Sequence, residues 1–430
     1  MIAALLGLAC LILLVLIGFP LAFVMAFVGL SGLTLLIGFE PAVGQLARAT
    51  VDTMTDYTFS ILPLFLLMAH FVARSGLAAE LYAASYAIVG HWRGGLAMST
   101  IIACGGFSTI SGSSLATVAT MAPIAMPEMQ ARGYRRELAT GAIASGGTLG
   151  ILIPPSIILV VYGNLTETDI GELFIAGIVP GLIGLAFYVG AVVAVTWFDP
   201  AAGPAGEKMA WRERLRALGR VWGLVLMFVT IIGGIYLGLF TPTEAAGAGA
   251  IIALIFALVR RSLTWPIVVD TFVKTAVTTA ALLMLVASSQ IFATFINISG
   301  LPRDLLDLIA RTSMAPWMVI AIICAAFLVL GCALEAFSLV LLFVPIVYPI
   351  VASLGFDLIW FGILLVVVVE VGLISPPVGL NVFVLKSVVP GIPLATIYRG
   401  ILPFIFADVT RLLLLCLAPW LVLFLPNAMH

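Results

Sequence analysis

Long apolar stretches, separated by short polar or Gly/Pro-rich breaks, run along almost the whole chain. Residues 2–18 and 21–38 are apolar, with Gly18-Phe19-Pro20 between them. One unbroken helix of that length would reach about 55 Å, far beyond a hydrocarbon core of ~30 Å, so the pattern predicts a helical hairpin. Residues 40–56 scatter Glu40, Arg48, Asp52 and Asp56 among apolar positions, which suits an amphipathic arm in the membrane interface. A span over 57–74 follows, then Ser75-Gly76 and a short helix ending at His91-Trp92-Arg93. In 94–131 two apolar limbs, each short for a crossing, flank the polar, Gly-rich segment 105–114. This predicts a re-entrant hairpin whose tip stops inside the protein. An apolar stretch over 137–163, an acidic loop (Glu167, Asp169, Glu172) and a span over 173–197 come next. After a linker over 199–220 the order recurs. Spans are predicted at 221–240 and 243–259, an arm near 262–273 and a span at 275–298. A hairpin over 317–350 has its tip near 331–338, and an apolar stretch over 359–387 and a last span over 400–425 complete the chain.

Two of these stretches carry a break that a membrane helix does not normally tolerate. Pro154 and Pro155 each remove an amide donor and clash with the preceding turn. The carbonyls before them lose their helical partners, and bare backbone survives at membrane depth only inside protein or facing a polar cavity. The segment Leu149-Gly-Ile-Leu-Ile-Pro-Pro155 recurs as Val371-Gly-Leu-Ile-Ser-Pro-Pro377, an offset of 222 residues. At the same offset Pro20 meets Pro242, Pro123 meets Pro345, Pro127 meets Pro349 and Gly133 meets Gly355. One architecture is written twice. Residues 1–198 form the first repeat (hairpin 94–131, broken helix 137–163). Residues 221–430 form the second (hairpin 317–350, broken helix 359–387). Five crossings plus one hairpin per repeat is an odd number, so the second copy starts from the opposite face. The expected fold is an all-α polytopic membrane protein of two inverted repeats, each with an interfacial arm helix.

Composition and charge sharpen this. Of the 430 residues 63% are hydrophobic and only 9% charged, where a soluble domain carries about 25%. With the N-terminus outside, the cytoplasmic set comprises Arg74, Arg93, Arg132, Arg135, Arg136, Lys208, Arg212, Arg214, Arg216, Arg220, Arg260, Arg261, Lys274, Lys386 and Arg399. Only Arg48, Arg303 and Arg311 fall outside. That asymmetry follows the positive-inside rule, placing both termini outside and the basic linker in the cytoplasm. The first apolar run lacks a basic leader and a cleavage site, so it is expected to be a retained helix. The five cysteines are scattered, without a Cys-x-x-Cys, and the three histidines have no ligand-like spacing. No nucleotide loop, catalytic triad or paired catalytic residues occur, which argues against an enzyme and against nucleic-acid binding.

The candidate chemistry sits at the breaks and the hairpin tips. Ser108, Ser111 and Ser113 offer hydroxyls, and the break at 146–156 offers free carbonyls. This hard, neutral oxygen suits a small monovalent cation such as Na⁺, although small hydroxyl residues also pack helices. Glu335 lies in the second tip at the position matching Ser113, and an acid at membrane depth is a functional candidate. The pseudo-two-fold relation brings matched features together near the midplane, so the substrate site is expected between the tips, lined by Ser111, Ser113, Ser156 and Glu335. No Arg or Lys falls in either tip, so an anion there would rely on hydroxyls, helix N-terminal dipoles and bound Na⁺. Glu370 precedes the second break, and Asn381 follows it as a candidate for an interhelical hydrogen bond. Asp408 and Arg411 read as a self-neutralising i,i+3 pair.

Phe240-Thr-Pro-Thr-Glu-Ala-Ala246, the first hairpin tip, the Ile-Pro-Pro-Ser break and the ending Asp408-Val-Thr-Arg411 resemble the large membrane subunit of TRAP transporters, the tripartite ATP-independent periplasmic systems of bacteria and archaea. The resemblance covers essentially the whole chain. It implies Na⁺-coupled uptake of an organic acid in the inner (cytoplasmic) membrane, by an elevator movement of a transport domain against a scaffold. The implied partners are a separate four-helix small membrane subunit and a periplasmic substrate-binding protein; no organic cofactor is implied. One Na⁺ would sit between the first hairpin (Ser108, Ser111) and Gly150, Ile153 and Pro155. A second would sit between Gly331 and Gly372, Ser375 and Val378. A self-contained carboxylate symporter of the same superfamily, working without a binding protein, is the alternative.

Overall fold

A computed structural model describes residues 2–312 and 314–429. Its secondary structure is entirely helical among the described residues. Six of these helices are long and apolar enough to cross a membrane, or up to eight if each bent pair forms one span. Ile2–Ile17 and Leu21–Ile37 turn at Gly18, whose φ of 100° needs no side chain, and pack on each other as the hairpin pattern predicts. The arm runs Phe39–Thr55 with only Ala42 and Thr53 buried. Asp56 ends it: its backbone is extended, and its carboxylate accepts from Thr58 N–H at 2.8 Å and from Asn164 Nδ2 at 3.1 Å. The span Ile61–Arg74 and the short helix Leu77–Val89 follow.

The first hairpin consists of Gly95–Ser111 and Ser114–Ala131 and the second of Pro316–Gly331 and Ala336–Ser353. The prolines matched by the 222-residue offset take matched places. Pro123 and Pro127, like Pro345 and Pro349, lie inside the second limb of a hairpin. Gly133 and Gly355 both adopt positive φ, 73° and 80°.

Three expectations are corrected. The predicted arm at 262–273 and span at 275–298 form one helix, Trp265–Ile298, of 34 residues. No Gly or Pro interrupts it between Pro266 and Gly300, and the position matching the helix-ending Asp56 is Thr278. The span at 221–240 is broken into Trp222–Phe228, a π-turn at Val229–Gly233 and Gly234–Tyr236. The linker is tied to its neighbours. Gly94 N–H donates to Gly203 O at 2.8 Å, Arg135 N–H to Ala202 O at 3.0 Å and Gly206 N–H to Gly90 O at 3.0 Å, and its basic half is the amphipathic helix Trp211–Arg220. The last span is two helices, Leu394–Leu417 and Trp420–Asn427, because Pro419 cannot continue the first.

The helices pack as two sets. Leu21–Ile37 lies along Trp265–Ile298, and Ile61–Arg74 along Pro242–Val259. In the other set Arg136–Gly146 lies along Leu394–Leu417, and Pro316–Gly331 along Leu358–Ile374. Glycines set the closest approaches, as they do where membrane helices meet without a hydrophobic driving force. A methyl group on Gly141 would lie 2.1 Å from Gly400 O, and one on Gly400 2.0 Å from Glu137 O.

Candidate functional site

The first break separates Arg136–Gly146 and the single turn Leu149–Leu152 from Ile157–Thr166, with a bend of 41°. Ile153 is extended (φ −76°, ψ 119°) and the Pro154–Pro155 bond is cis. Neither proline has an N–H to return to the carbonyls a turn earlier, Gly150 and Ile151. The first hairpin closes over this gap. A methyl group on Gly150 would lie 1.9 Å from Ser108 Cβ, so the two residues are in direct contact. At the tip Gly112 adopts φ 59°, and its Cβ position is 3.8 Å from Pro155 O. Ser108, Gly150, Ile153 and Pro155 are thus brought together, all buried. Ser111 turns to its own hairpin, with Oγ 2.9 Å from Thr117 Oγ1.

The second break lies between Leu358–Ile374 and Leu380–Val388, again with a cis bond, Pro376–Pro377. Gly372 meets the second hairpin, since a methyl group on it would lie 2.8 Å from Gly331 Cα. Gly379, at φ 63°, donates its N–H to Cys332 O at 3.0 Å and pins the tip. Ser375 Oγ donates to Val371 O at 2.7 Å. Tyr398, which the sequence did not single out, donates its hydroxyl to Val378 O at 2.6 Å and to Pro377 O at 3.0 Å. The two breaks differ in exposure: Pro154 and Pro155 are buried, whereas Pro376 and Pro377 are exposed. Both offer neutral oxygen, and no group of three or more His, Cys, Asp or Glu able to hold a metal ion occurs among the described residues.

Between the tips lies a cavity of about 180 Å³. Ser113 and Glu335 line it, with Ile151, Ile157 and Leu373 from the broken helices and Thr278 and Leu282 from the long helix Trp265–Ile298. Ser111 and Ser156 do not line it. Ser156 is fully buried, and its Oγ caps Ile157–Thr166 by accepting from Leu159 N–H at 3.4 Å. Ser113 Oγ caps the second hairpin limb, accepting from Ala116 N–H at 3.3 Å, and Glu335 accepts from Ser338 Oγ at 3.3 Å. The helices that begin at Ser114, Ile157 and Ala336 therefore present their N-termini here, where the helix dipole favours an anion and Ser113, Ser156 and Glu335 already take some of the terminal amides. No Lys or Arg lines the cavity.

Asp408 and Arg411 are not self-contained. Arg411 Nη2 lies 2.8 Å from Asp408 Oδ1 and 2.9 Å from Glu370 Oε2, with all three side chains at 0% exposure. Tyr188 donates its hydroxyl to Asp408 Oδ2 at 2.5 Å, and Thr148 Oγ1 lies 3.0 Å from that hydroxyl. Gly184 leaves room for the guanidinium, since a methyl group there would lie 2.1 Å from Arg411 Nη1. Asn381 makes the interhelical bond its position suggested, Nδ2 donating to Ala144 O at 3.2 Å. The motif Phe240–Ala246 forms a helix start. Thr241 and Glu244 exchange a capping box around Pro242, with Thr241 N–H to Glu244 Oε2 at 2.8 Å and Glu244 N–H to Thr241 Oγ1 at 3.3 Å.

Comparison with known proteins places these features in a family. Residues 8–421 match the family model described as "Tripartite ATP-independent periplasmic transporter, DctM component". The chain is 38% identical over 405 residues to the C4-dicarboxylate TRAP transporter large permease protein DctM of Pseudomonas aeruginosa, covering 93% of each chain. It is 31% identical over 426 residues to the 2,3-diketo-L-gulonate TRAP transporter large permease protein YiaN of Escherichia coli, covering 98% of each. It is 30% identical over 413 residues to the sialic acid TRAP transporter large permease protein SiaM of Vibrio cholerae, covering 95% of each. Among solved structures, the YdaH transporter of Alcanivorax borkumensis shares the fold at a TM-score of 0.65 and 13% identity, covering 90% of both chains. The relatives are named as transport permeases, a non-enzymatic role. This multi-pass membrane chain therefore belongs to the large permease subunits of the tripartite ATP-independent periplasmic transporters.

Proposed function

We propose that this chain carries an organic acid across the cytoplasmic membrane, driven by Na⁺, after delivery by a periplasmic binding protein and together with a small membrane subunit. The observation that carries the reading is the pair of broken helices, each pressed against a hairpin through glycine, with the tips facing one cavity. Neutral oxygens around Ser108, Gly150, Ile153 and Pro155, and around Gly331, Gly372, Ser375 and Val378, suit two Na⁺ ions. Three helix N-termini and the Ser113 hydroxyl suit a carboxylate, whose charge the Na⁺ ions would balance. Ser113 and Glu335 replace the wider substrate set as the side chains that contact it. The hairpins, broken helices and Leu394–Leu417 would move as an elevator against the other set of helices, related as inverted repeats. The unequal exposure of the two breaks supports an arrangement in which one gate is closed while the other is open.

The test is uptake into proteoliposomes holding both membrane subunits, with the binding protein and labelled organic acids, including a C4-dicarboxylate, supplied outside. Uptake should need a Na⁺ gradient, and Ser113→Ala with Glu335→Gln should raise the half-saturating substrate concentration about tenfold, the worth of one or two hydrogen bonds. Full uptake in Na⁺-free buffer with a proton gradient would remove sodium coupling, and uptake of free substrate without the binding protein would favour the self-contained symporter.

The proposed orientation has both termini outside and the linker in the cytoplasm. Lys208→Cys tests it, because this residue is exposed. A membrane-impermeant maleimide should label it only after permeabilisation; labelling in intact cells would reverse the topology.

A further inference from the structure

The two breaks are tied together by a line of buried polar side chains. Thr148 lies two positions before Gly150, in the first break, and its Oγ1 is 3.0 Å from the Tyr188 hydroxyl. Tyr188 stands on the span Ile170–Phe198 and donates to Asp408 Oδ2 at 2.5 Å. Asp408 and Arg411 are joined at 2.8 Å on Leu394–Leu417, and Arg411 reaches Glu370 at 2.9 Å. Glu370 lies two positions before Gly372, in the second break. Each of these five side chains is fully buried. The line crosses three separate helices to join two sites that the backbone keeps 222 residues apart. Ion-pair chemistry at this depth is costly, and self-neutralisation of the final helix would have needed only Asp408 and Arg411. Thr148, Tyr188 and Glu370 are superfluous to that role, yet they extend the pair to both breaks.

We propose that Thr148, Tyr188, Asp408, Arg411 and Glu370 are positioning residues that couple the two cation sites, so that filling one break raises the affinity of the other. This rests on the reading that Na⁺ binds at both breaks. A cation drawing on the carbonyls of Gly150 or Gly372 fixes the local turn, and with it Thr148 or Glu370. The charged, hydrogen-bonded line has few arrangements in a dry interior, so the turn at one end constrains the turn at the other. Such coupling is reciprocal by linkage.

Tyr188→Phe cuts the line at its middle by removing one oxygen, leaving the ring and the Arg411 ion pairs in place. The probe is ²²Na⁺, measured by equilibrium binding to the purified two-subunit membrane complex. The wild type should bind cooperatively, with a Hill coefficient of about 1.4 or more, because coupling of this kind shifts affinity about fivefold or more. Tyr188→Phe should lower the coefficient to about 1, Thr148→Val should do the same, and the double variant should add nothing further. A purely structural role would lower thermal stability while leaving the coefficient unchanged, and that result would overturn the proposal. Non-cooperative binding by the wild type would overturn it as well. No Na⁺ binding at all by the wild type would instead remove the two-site reading beneath it.

Discussion

Gly150→Ala is expected to abolish uptake, lowering it at least about a hundredfold, while the protein still inserts in the membrane. Alanine favours a helix over glycine by about 1 kcal/mol, so local propensity would predict a small gain. The tertiary contact reverses the sign. The new methyl would sit 1.9 Å from Ser108 Cβ, where both backbones are held by buried helices and neither can retreat cheaply. The first hairpin must shift off the break, and overpacking of this kind costs about 1–3 kcal/mol or more. The shift spoils the proposed cation cage directly, because Ser108 and Gly150 both belong to it. Gly372→Ala should act in the same direction but less severely, since its methyl would lie 2.8 Å from Gly331. Uptake in proteoliposomes, paired with size-exclusion profiles of the purified variants, checks the order. Near-normal uptake by Gly150→Ala would mean that the hairpin does not need to close on this break.

Arg411→Met is expected to cause the largest loss of stability of any single substitution in Leu394–Leu417 and the helices packed on it. It leaves Glu370 and Asp408 buried at 0% exposure without their cation. Removing one partner of a buried ion pair costs about 3–5 kcal/mol, because the remaining charge stays desolvated. Two carboxylates share this one guanidinium, so the loss should lie at the upper end. Adding Glu370→Gln and Asp408→Asn removes both stranded charges and should restore most of the apparent thermal midpoint. Thermal unfolding in detergent at a fixed scan rate reads both effects, since unfolding of such a chain is governed by rate as well as equilibrium. A single variant as stable as the wild type would mean that the cluster contributes little to holding these helices. Failure of the triple variant to recover would assign the loss to the packing of the Arg411 side chain against Gly184 instead.

Much of the architecture was legible in the sequence because its causes are local. The spans follow from apolar length and the breaks from paired prolines whose effect on the backbone does not depend on neighbours, whereas one limb of the second hairpin, Ala336–Ser353, is itself long and apolar enough to cross. The repeat shows in the sequence as proline and glycine positions matched at one offset of 222 residues. Family membership was legible from a few motifs, and the comparisons show it. Local reasoning failed where a position has two outcomes that only a neighbour can choose between. The stretch 262–298 could have turned at Thr278 as the first repeat turns at Asp56, but it continues as one helix, without a carboxylate to cap a turn. Ser156 follows the prolines as a candidate ligand, and its hydroxyl is instead engaged with Leu159 N–H.

The sequence by itself determined which segments are apolar enough for a membrane, where they break and which oxygen-rich turns are available, since each depends on residues adjacent in the chain. Only the tertiary structure decided which partners those residues meet. Glu370 and Arg411 are 41 positions apart and on different helices, so no periodicity could pair them, and Tyr188 and Tyr398 look like ordinary apolar-span tyrosines until their hydroxyls find Asp408 and the second break. At membrane depth water supplies no alternative partner, so the partners a buried polar group finds are those of whichever chain segment packs against it, and that choice is made by helix packing.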